Sequence, residues 1–253
     1  MSFIQAQWPA PANIRSLVTT RNGGISNAPY ETLNLGNHVG DQSPRVLGNR
    51  QILRKHVPQE PLWLDQTHGC TVSTPTSRAQ SPGQPYEADA AVSNIPDEVL
   101  VIMTADCLPV LFTNADGSVV GAAHAGWRGL LGGVLEETVG AMLNLSKESR
   151  SQDLMAWLGP AIGPESFEVG PDVLEQFQLS GLHDTTQSFV PIPNKPNKYL
   201  ANIYQLARDR LESVGVDRIY GGDLCTFKDQ ERFFSYRRDG ITGRFASLIW
   251  IAN

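Results

Sequence analysis

The chain predicts one domain of mixed α/β layered fold, and three observations carry that expectation. Strand-forming runs crowd residues 90–123, amphipathic helical stretches follow at 130–142 and 202–214, and the two kinds of element interleave irregularly. No regular β-α alternation and no G-x-G-x-x-G turn are present, which argues against a Rossmann sheet. At 253 residues the chain is long enough to bury a sizeable core, and no internal repeat, low-complexity tract or charge block divides it.

Taken in order, Ser16 to Thr20 reads as a strand that breaks at Asn22-Gly23-Gly24, where positive φ is easily adopted. Ser43 then caps a helix with Pro44 at its first position, and Val46, Asn49, Arg50 and Leu53 follow at helical spacing. Leu62 to Leu64 and Thr71 to Thr74 are short strands on either side of His68. Pro75 to Pro85, rich in Ser, Pro and Gln, and Pro191 to Asn197 read as exposed loops. Ala90 to Ser93, Val99 to Thr104, Val110 to Thr113 and Val119 to Ala123 are strands, the last two joined by a turn at Asn114-Ala115-Asp116-Gly117. Leu130, Leu131, Val134, Leu135, Thr138, Val139 and Met142 fall on one helical face, and Gly132 with Gly133 would let that helix approach another backbone closely. Met155 to Leu158 is a further strand. Ile203, Leu206, Ala207, Leu211 and Val214 mark a second amphipathic helix over Asn202 to Val214, stopped by Gly215, and Phe245 to Ile251 is the last strand.

The formal charge of -6 provides no general basic field for phosphate backbones, so nucleic acid is not an expected partner. The N-terminal M-S-F-I-Q-A-Q-W-P has neither the basic nor the apolar region of a signal peptide, and no apolar run is long enough to span a bilayer. Three cysteines, an odd number, argue for reduced thiols. These features point to a soluble cytoplasmic protein; anionic small molecules stay open as ligands where arginines converge locally, and oligomeric state leaves no signal.

Three metal-ligating residue types sit in three turn-like motifs: His68 in Q-T-H-G, Cys107 in T-A-D-C-L-P and His124 in A-A-H-A-G-W-R-G. Two imidazoles and one thiolate leave a tetrahedral ion one open position, as catalytic zinc sites do and closed structural sites do not. Each of the three taken singly also reads as an ordinary buried side chain. Asp106 beside Cys107 would raise a thiol pKa unless a cation or metal offsets it. Cys70 would share a face with His68 if that segment is extended, making it a competing ligand. The helix that starts after His124 presents free N–H groups suited to a phosphate. In F-F-S-Y-R-R-D-G-I-T-G-R, Arg237, Arg238 and Arg244 are candidates for a phosphate or carboxylate cradle, although a charged run also reads as a solvated turn. Arg21, and Asn34 in the polar loop N-L-G-N-H-V-G-D, are further substrate-binding candidates; His38 of that loop reads either as a residue reaching the site or, more commonly for a loop histidine, as a hydrogen-bonding spacer.

The motifs T-R-N-G-G-I-S, N-L-G-N-H-V-G-D, W-L-D-Q-T-H-G, M-T-A-D-C-L-P-V-L, A-A-H-A-G-W-R-G, L-G-P-A-I-G and F-F-S-Y-R-R-D-G-I-T-G-R together resemble the YfiH, or laccase-domain, family from about Thr20 to the C-terminus. The resemblance implies a single catalytic domain over residues 1–253, an α/β/β/α sandwich similar to the catalytic domain of cytotoxic necrotizing factor. It implies Zn2+, held by His68, Cys107 and His124, with Cu2+ as an alternative ion. It also implies a purine nucleoside enzyme: phosphorolysis of adenosine, inosine and methylthioadenosine with phosphate as co-substrate, and deamination of adenosine. Two other activities come with the resemblance. One is hydrolytic removal of L-serine from a peptidoglycan nucleotide precursor, an amidase reaction; the other is copper-dependent polyphenol oxidation. The scarcity of histidines, five in all and no His-X-His pair, weighs against a multicopper centre.

Overall fold

The computed structural model describes residues 3–83, 86–146, 148–181 and 187–253. In chain order the strands are β1 Phe3–Ile4, β2 Ile14–Thr19, β3 Leu64–Asp65, β4 Val72–Ser73, β5 Tyr86–Glu87, β6 Ala90–Ser93, β7 Leu100–Thr104, β8 Leu108–Asn114 and β9 Val120–Ala125. There follow β10 Leu154–Leu158, β11 Glu168–Val169, β12 Phe189–Pro191, β13 Tyr199–Ala201, β14 Arg218–Gly221 and β15 Phe245–Ile251. The helices are α1 Ser43–Arg54, α2 Pro75–Gln80, α3 Trp127–Gly132, α4 Val134–Leu145, α5 Pro171–Leu179, α6 Ile203–Ser213 and α7 Tyr236–Asp239. None of the helices among the described residues is long and apolar enough to cross a membrane.

Two sheets dominate, one ordered β1-β2-β15-β7 and the other β14-β10-β8-β9-β6-β4. Side-chain alternation along their strands sorts the core into three layers of contact. Val18, Leu100, Ile102, Phe245 and Ile249 of the first sheet meet Ala91, Leu111, Val120, Ala122 and Trp157 of the second. The alternate residues Leu17, Val101, Met103, Leu248 and Trp250 turn to the other side and pack with Leu53 of α1. On the far side of the larger sheet, Val110, Phe112, Ala123 and Ala156 pack with Val139 and Met142 of α4 and Leu206 and Leu211 of α6. The result is the expected α/β/β/α order, with no closed barrel.

Several local expectations change. Gln42 rather than Ser43 is the N-cap of α1, because Ser43 and Pro44 already lie inside the first turn, where the missing proline N–H costs nothing. The Ser/Pro-rich segment expected to be a loop contains α2: Thr74 and Ser77 cap each other's backbone, and Pro75 fits the first turn. Gln84 and Pro85 of that segment lie outside the described residues. The single helix expected over 130–142 is two, since Gly133 adopts φ 93° and ends α3 before α4 begins. Gly132 does sit in a close approach, but to a side chain: a Cβ there would lie 2.6 Å from the Cys70 sulfur. The sequence reading did not assign α5, β14 or the small β11-β13-β12 sheet.

Candidate metal centre

The site grows out of the place where the chain passes from one sheet to the other. Strand β7 ends at Thr104 in the smaller sheet, and β8 begins at Leu108 in the larger one, so Ala105-Asp106-Cys107 forms the corner. Asp106 turns it with φ 86°, a left-handed conformation that L-residues adopt only under constraint. The constraint is visible: its carboxylate accepts from the Thr226 hydroxyl at 2.6 Å and from the Arg237 backbone N–H at 2.6 Å. Asp106 is thus a structural lock at the corner, its carboxylate held by Thr226 and the Arg237 N–H.

His124 lies near the end of β9, opposite Pro109 of β8, so the residue two before Pro109, Cys107, is carried alongside it. By alternation with Val120 and Ala122, His124 belongs to the face of the larger sheet that looks into the gap between the sheets. His68 stands in the turn between β3 and β4, itself at φ 64°. The Cys107 sulfur lies 3.9 Å from Nε2 of His68, and the two imidazoles meet edge to face with centroids 4.7 Å apart. Ligand atoms of His68, Cys107 and His124 all lie within 4.8 Å of one another. A tetrahedral zinc ion with ordinary bond lengths sets sulfur and nitrogen ligands about 3.6 Å apart, so the donor set and its spacing fit such an ion.

The residue that holds this arrangement together is Asp89, which sequence reasoning missed. Its carboxylate accepts Nδ1–H of His124 at 2.7 Å and the backbone N–H groups of Thr67, His68 and Gly69 at 3.1, 2.9 and 2.7 Å. Its carbonyl accepts the His124 N–H at 2.7 Å. One buried carboxylate therefore fixes the His68 turn and orients the His124 ring, leaving Nε2 of His124 for the site. Burial works against the Asp89 charge, but the His124 ring and the Gly69 and His68 amides outweigh it and hold its pKa below the usual carboxylate value. The available signal was one acid within the small apolar run Ala88-Asp89-Ala90-Ala91-Val92.

The same geometry favours a thiolate at half-buried Cys107 beside a protonated, buried His124 when no metal is bound. Burial disfavours the Cys107 thiolate, yet the charge and hydrogen bond of His124, joined by those of His68, pull the thiol well below its ordinary value. Burial likewise opposes the His124 cation, and the Cys107 charge with the Asp89 hydrogen bond raises that imidazole. Gly126 makes room for the thiolate, since a Cβ there would stand 3.0 Å from the Cys107 sulfur and 3.3 Å from the His68 ring.

His68, Cys107 and His124 open onto a cavity of about 350 Å³ whose walls include His38, Gln66, Thr104, Tyr236 and Arg244. Gln66 exchanges two 2.9 Å hydrogen bonds with the Met103 backbone and so ties the His68 turn to β7. Partial burial, followed by the Arg244 charge, lowers the His38 pKa and so favours the neutral ring. Of the two readings of this loop histidine, the structure supports the one that reaches the site.

Of the predicted arginine cradle, only Arg244 reaches this cavity. Arg237 donates to the Glu168 carbonyl at 2.8 Å, and Arg238 is spent on the carbonyls of Thr226, Phe227 and Phe233 and on Asp239. Arg21 donates to the carbonyls of Glu31 and Gln230 and lies over the Phe234 ring. Asn34 is fully buried, and its Oδ1 accepts from the N–H of Gly36 and of Arg244, so it positions the Arg244 strand entry. No residue of α3 lines the cavity, contrary to the phosphate site expected at that helix start. Cys70 is not part of the ligand group: the left-handed turn at His68 breaks the extended geometry, and the Cys70 thiol points to the Gly129 carbonyl.

Residues 15–252 match the family model described as multi-copper polyphenol oxidoreductase laccase. The chain belongs to that family. Within it, a Haemophilus influenzae protein named purine nucleoside phosphorylase is 49% identical over 252 residues, spanning 99% of both chains. The Escherichia coli purine nucleoside phosphorylase YfiH is 50% identical over 254 residues, 98% of each. Among solved structures, the Neisseria meningitidis protein NMB0706 superposes with a TM-score of 0.91 at 45% identity over the full length of both. YlmD from Geobacillus stearothermophilus gives a TM-score of 0.87 at 28% identity, covering 100% of this chain and 97% of that one. The laccase-type fold is therefore that of the present chain from end to end.

Proposed function

We propose that this member of the laccase-type family is a zinc-dependent purine nucleoside enzyme, cleaving adenosine, inosine and methylthioadenosine with phosphate and deaminating adenosine. The observation that carries the reading is the open His68-Cys107-His124 triad backed by Asp89, facing a cavity whose one arginine, Arg244, suits an anionic co-substrate. The names of the relatives from Haemophilus influenzae and Escherichia coli support the substrate class. A zinc ion bound there supplies Lewis acidity toward an oxygen nucleophile. The protein's own groups supply the rest. Arg244 neutralises phosphate, Tyr236 at the exposed rim offers a ring to the base, and neutral His38 can take or give a proton.

The amidase reading would use the same three residues, but the arginine cradle for a phosphate-bearing substrate is not assembled, since Arg237 and Arg238 donate to backbone carbonyls. Multicopper oxidation needs further histidine clusters; among the described residues His56 stacks on Phe3, and no second ligand group forms. The test is to incubate zinc-loaded protein with adenosine, with and without phosphate, and to follow adenine, ribose 1-phosphate and inosine. Phosphate-dependent adenine release, abolished in Cys107→Ala and His124→Ala, is expected. Undiminished product from both variants would refute the proposal.

A further inference from the structure

The cavity floor holds a polar group that the fold leaves unpaired. Thr104 is 1% exposed, and its hydroxyl meets no hydrogen-bond partner. Most buried polar groups in proteins are paired, so an orphan needs a reason. Two other buried threonines obey the rule: Thr19 Oγ1 accepts the Ala246 N–H, and the Thr226 hydroxyl donates to Asp106. Thr242 and Ser247 also carry buried hydroxyls without partners, but neither lines the cavity, whereas Thr104 does. Alternation with Leu100 and Ile102 turns Thr104 into the gap between the sheets, at the strand end where that gap opens beside the metal ligands.

The other groups on these walls already have tasks. The Gln66 amide is used at both ends by Met103, and Arg244 is a pure donor with a positive charge, suited to phosphate. A hydroxyl that is free both to give and to accept a hydrogen bond matches another hydroxyl, and a nucleoside carries such groups on its sugar. We propose that the Thr104 hydroxyl is a specificity-determining contact for the sugar of the nucleoside, pairing with a ribose hydroxyl on the floor of the cavity. This rests on the nucleoside reading of the site and adds to it a preference for ribose over deoxyribose.

The experiment compares kcat/KM of wild-type, Thr104→Val and Thr104→Ser enzymes on adenosine, 2′-deoxyadenosine and 3′-deoxyadenosine. Valine keeps the shape and removes the hydroxyl. Thr104→Val is expected to lose about tenfold or more on adenosine and less than about threefold on one deoxy analogue, because that substrate lacks the partner already. Thr104→Ser is expected to keep the wild-type preference, and the Tm of Thr104→Val to be unchanged or higher, since an unpaired buried hydroxyl has been removed. Equal losses on all three nucleosides, or none, would overturn the contact. Should the wild-type protein turn over no nucleoside, the catalytic reading fails first. Calorimetry of the same three nucleosides with zinc-loaded protein then decides the contact by itself: a ribose preference lost in Thr104→Val supports it, and absent binding or an unchanged preference overturns it.

Discussion

Asp89 spends its oxygens on the site: the His124 ring, the turn that bears His68, and the strand that bears His124. Replacing it by Asn keeps the shape but removes the charge and turns one acceptor into a donor facing backbone N–H groups. Asp89→Asn is expected to weaken zinc binding and activity by roughly ten- to a hundredfold, as loss of such supporting carboxylates does. Competition with a chromophoric chelator measures the first and product release the second. A second prediction concerns Cys107 in protein stripped of metal. Its thiol pKa is lowered to about 6, so the thiolate is present above that pH and is lost below it. The rate of alkylation by iodoacetamide should therefore rise through pH about 6 rather than near the ordinary cysteine value of about 8.5, and His124→Ala should move the midpoint upward. At this scale the grouping of three metal-binding residue types was legible, because His68, Cys107 and His124 each stand in a polar, glycine-punctuated break between apolar runs. Asp89 was not, since a single acid among alanines carries no spacing. The arginines could not be placed from the sequence, because whether a guanidinium faces a cavity or nearby backbone carbonyls depends on the path of its loop.

Glycines decide two elements near the site in different ways. Gly133 takes φ 93° to separate α3 from α4, and an alanine there would be strained by about 1–2 kcal/mol. Gly126 has ordinary φ of -65°, and its constraint is space, with the Cys107 sulfur 3.0 Å from any added Cβ. Gly133→Ala is thus expected to lower the unfolding free energy measured in urea while leaving zinc content intact. Gly126→Ala is expected to lose zinc, by mass spectrometry of the native protein, with a smaller cost in stability. The helical period across 130–142 was readable, but the break within it was not: Gly132-Gly133 is compatible with close packing or with a stop, and periodicity does not distinguish them. In α2 the opposite happened. Composition signalled a loop, while the Thr74–Ser77 capping pair and Pro75 at the first turn satisfied the helix start locally.

At the level of the molecule, the site exists because two sheets share one corner. Strand periodicity in 90–123 and 245–251 placed both sheets' central strands, and the alternation of Leu100, Val101 and Ile102 between two cores shows why those runs are apolar throughout. The short strands of β11-β13-β12, two to three residues each, gave too few alternations to be read. Because His68, Cys107 and His124 come from separate segments, an ion held by all three binds the folded chain alone. Zinc at a hundredfold excess over its Kd should add about 2.7 kcal/mol to stability, and a strong chelator should lower Tm correspondingly in the wild type but not in Cys107→Ala. The most direct measurement is metal-edge X-ray absorption on protein purified without added metal. A zinc edge at one ion per chain, with one sulfur and two imidazole nitrogens in its coordination shell, is the predicted result; a shell without sulfur, or full activity in protein free of metal, would contradict a shared His68-Cys107-His124 centre.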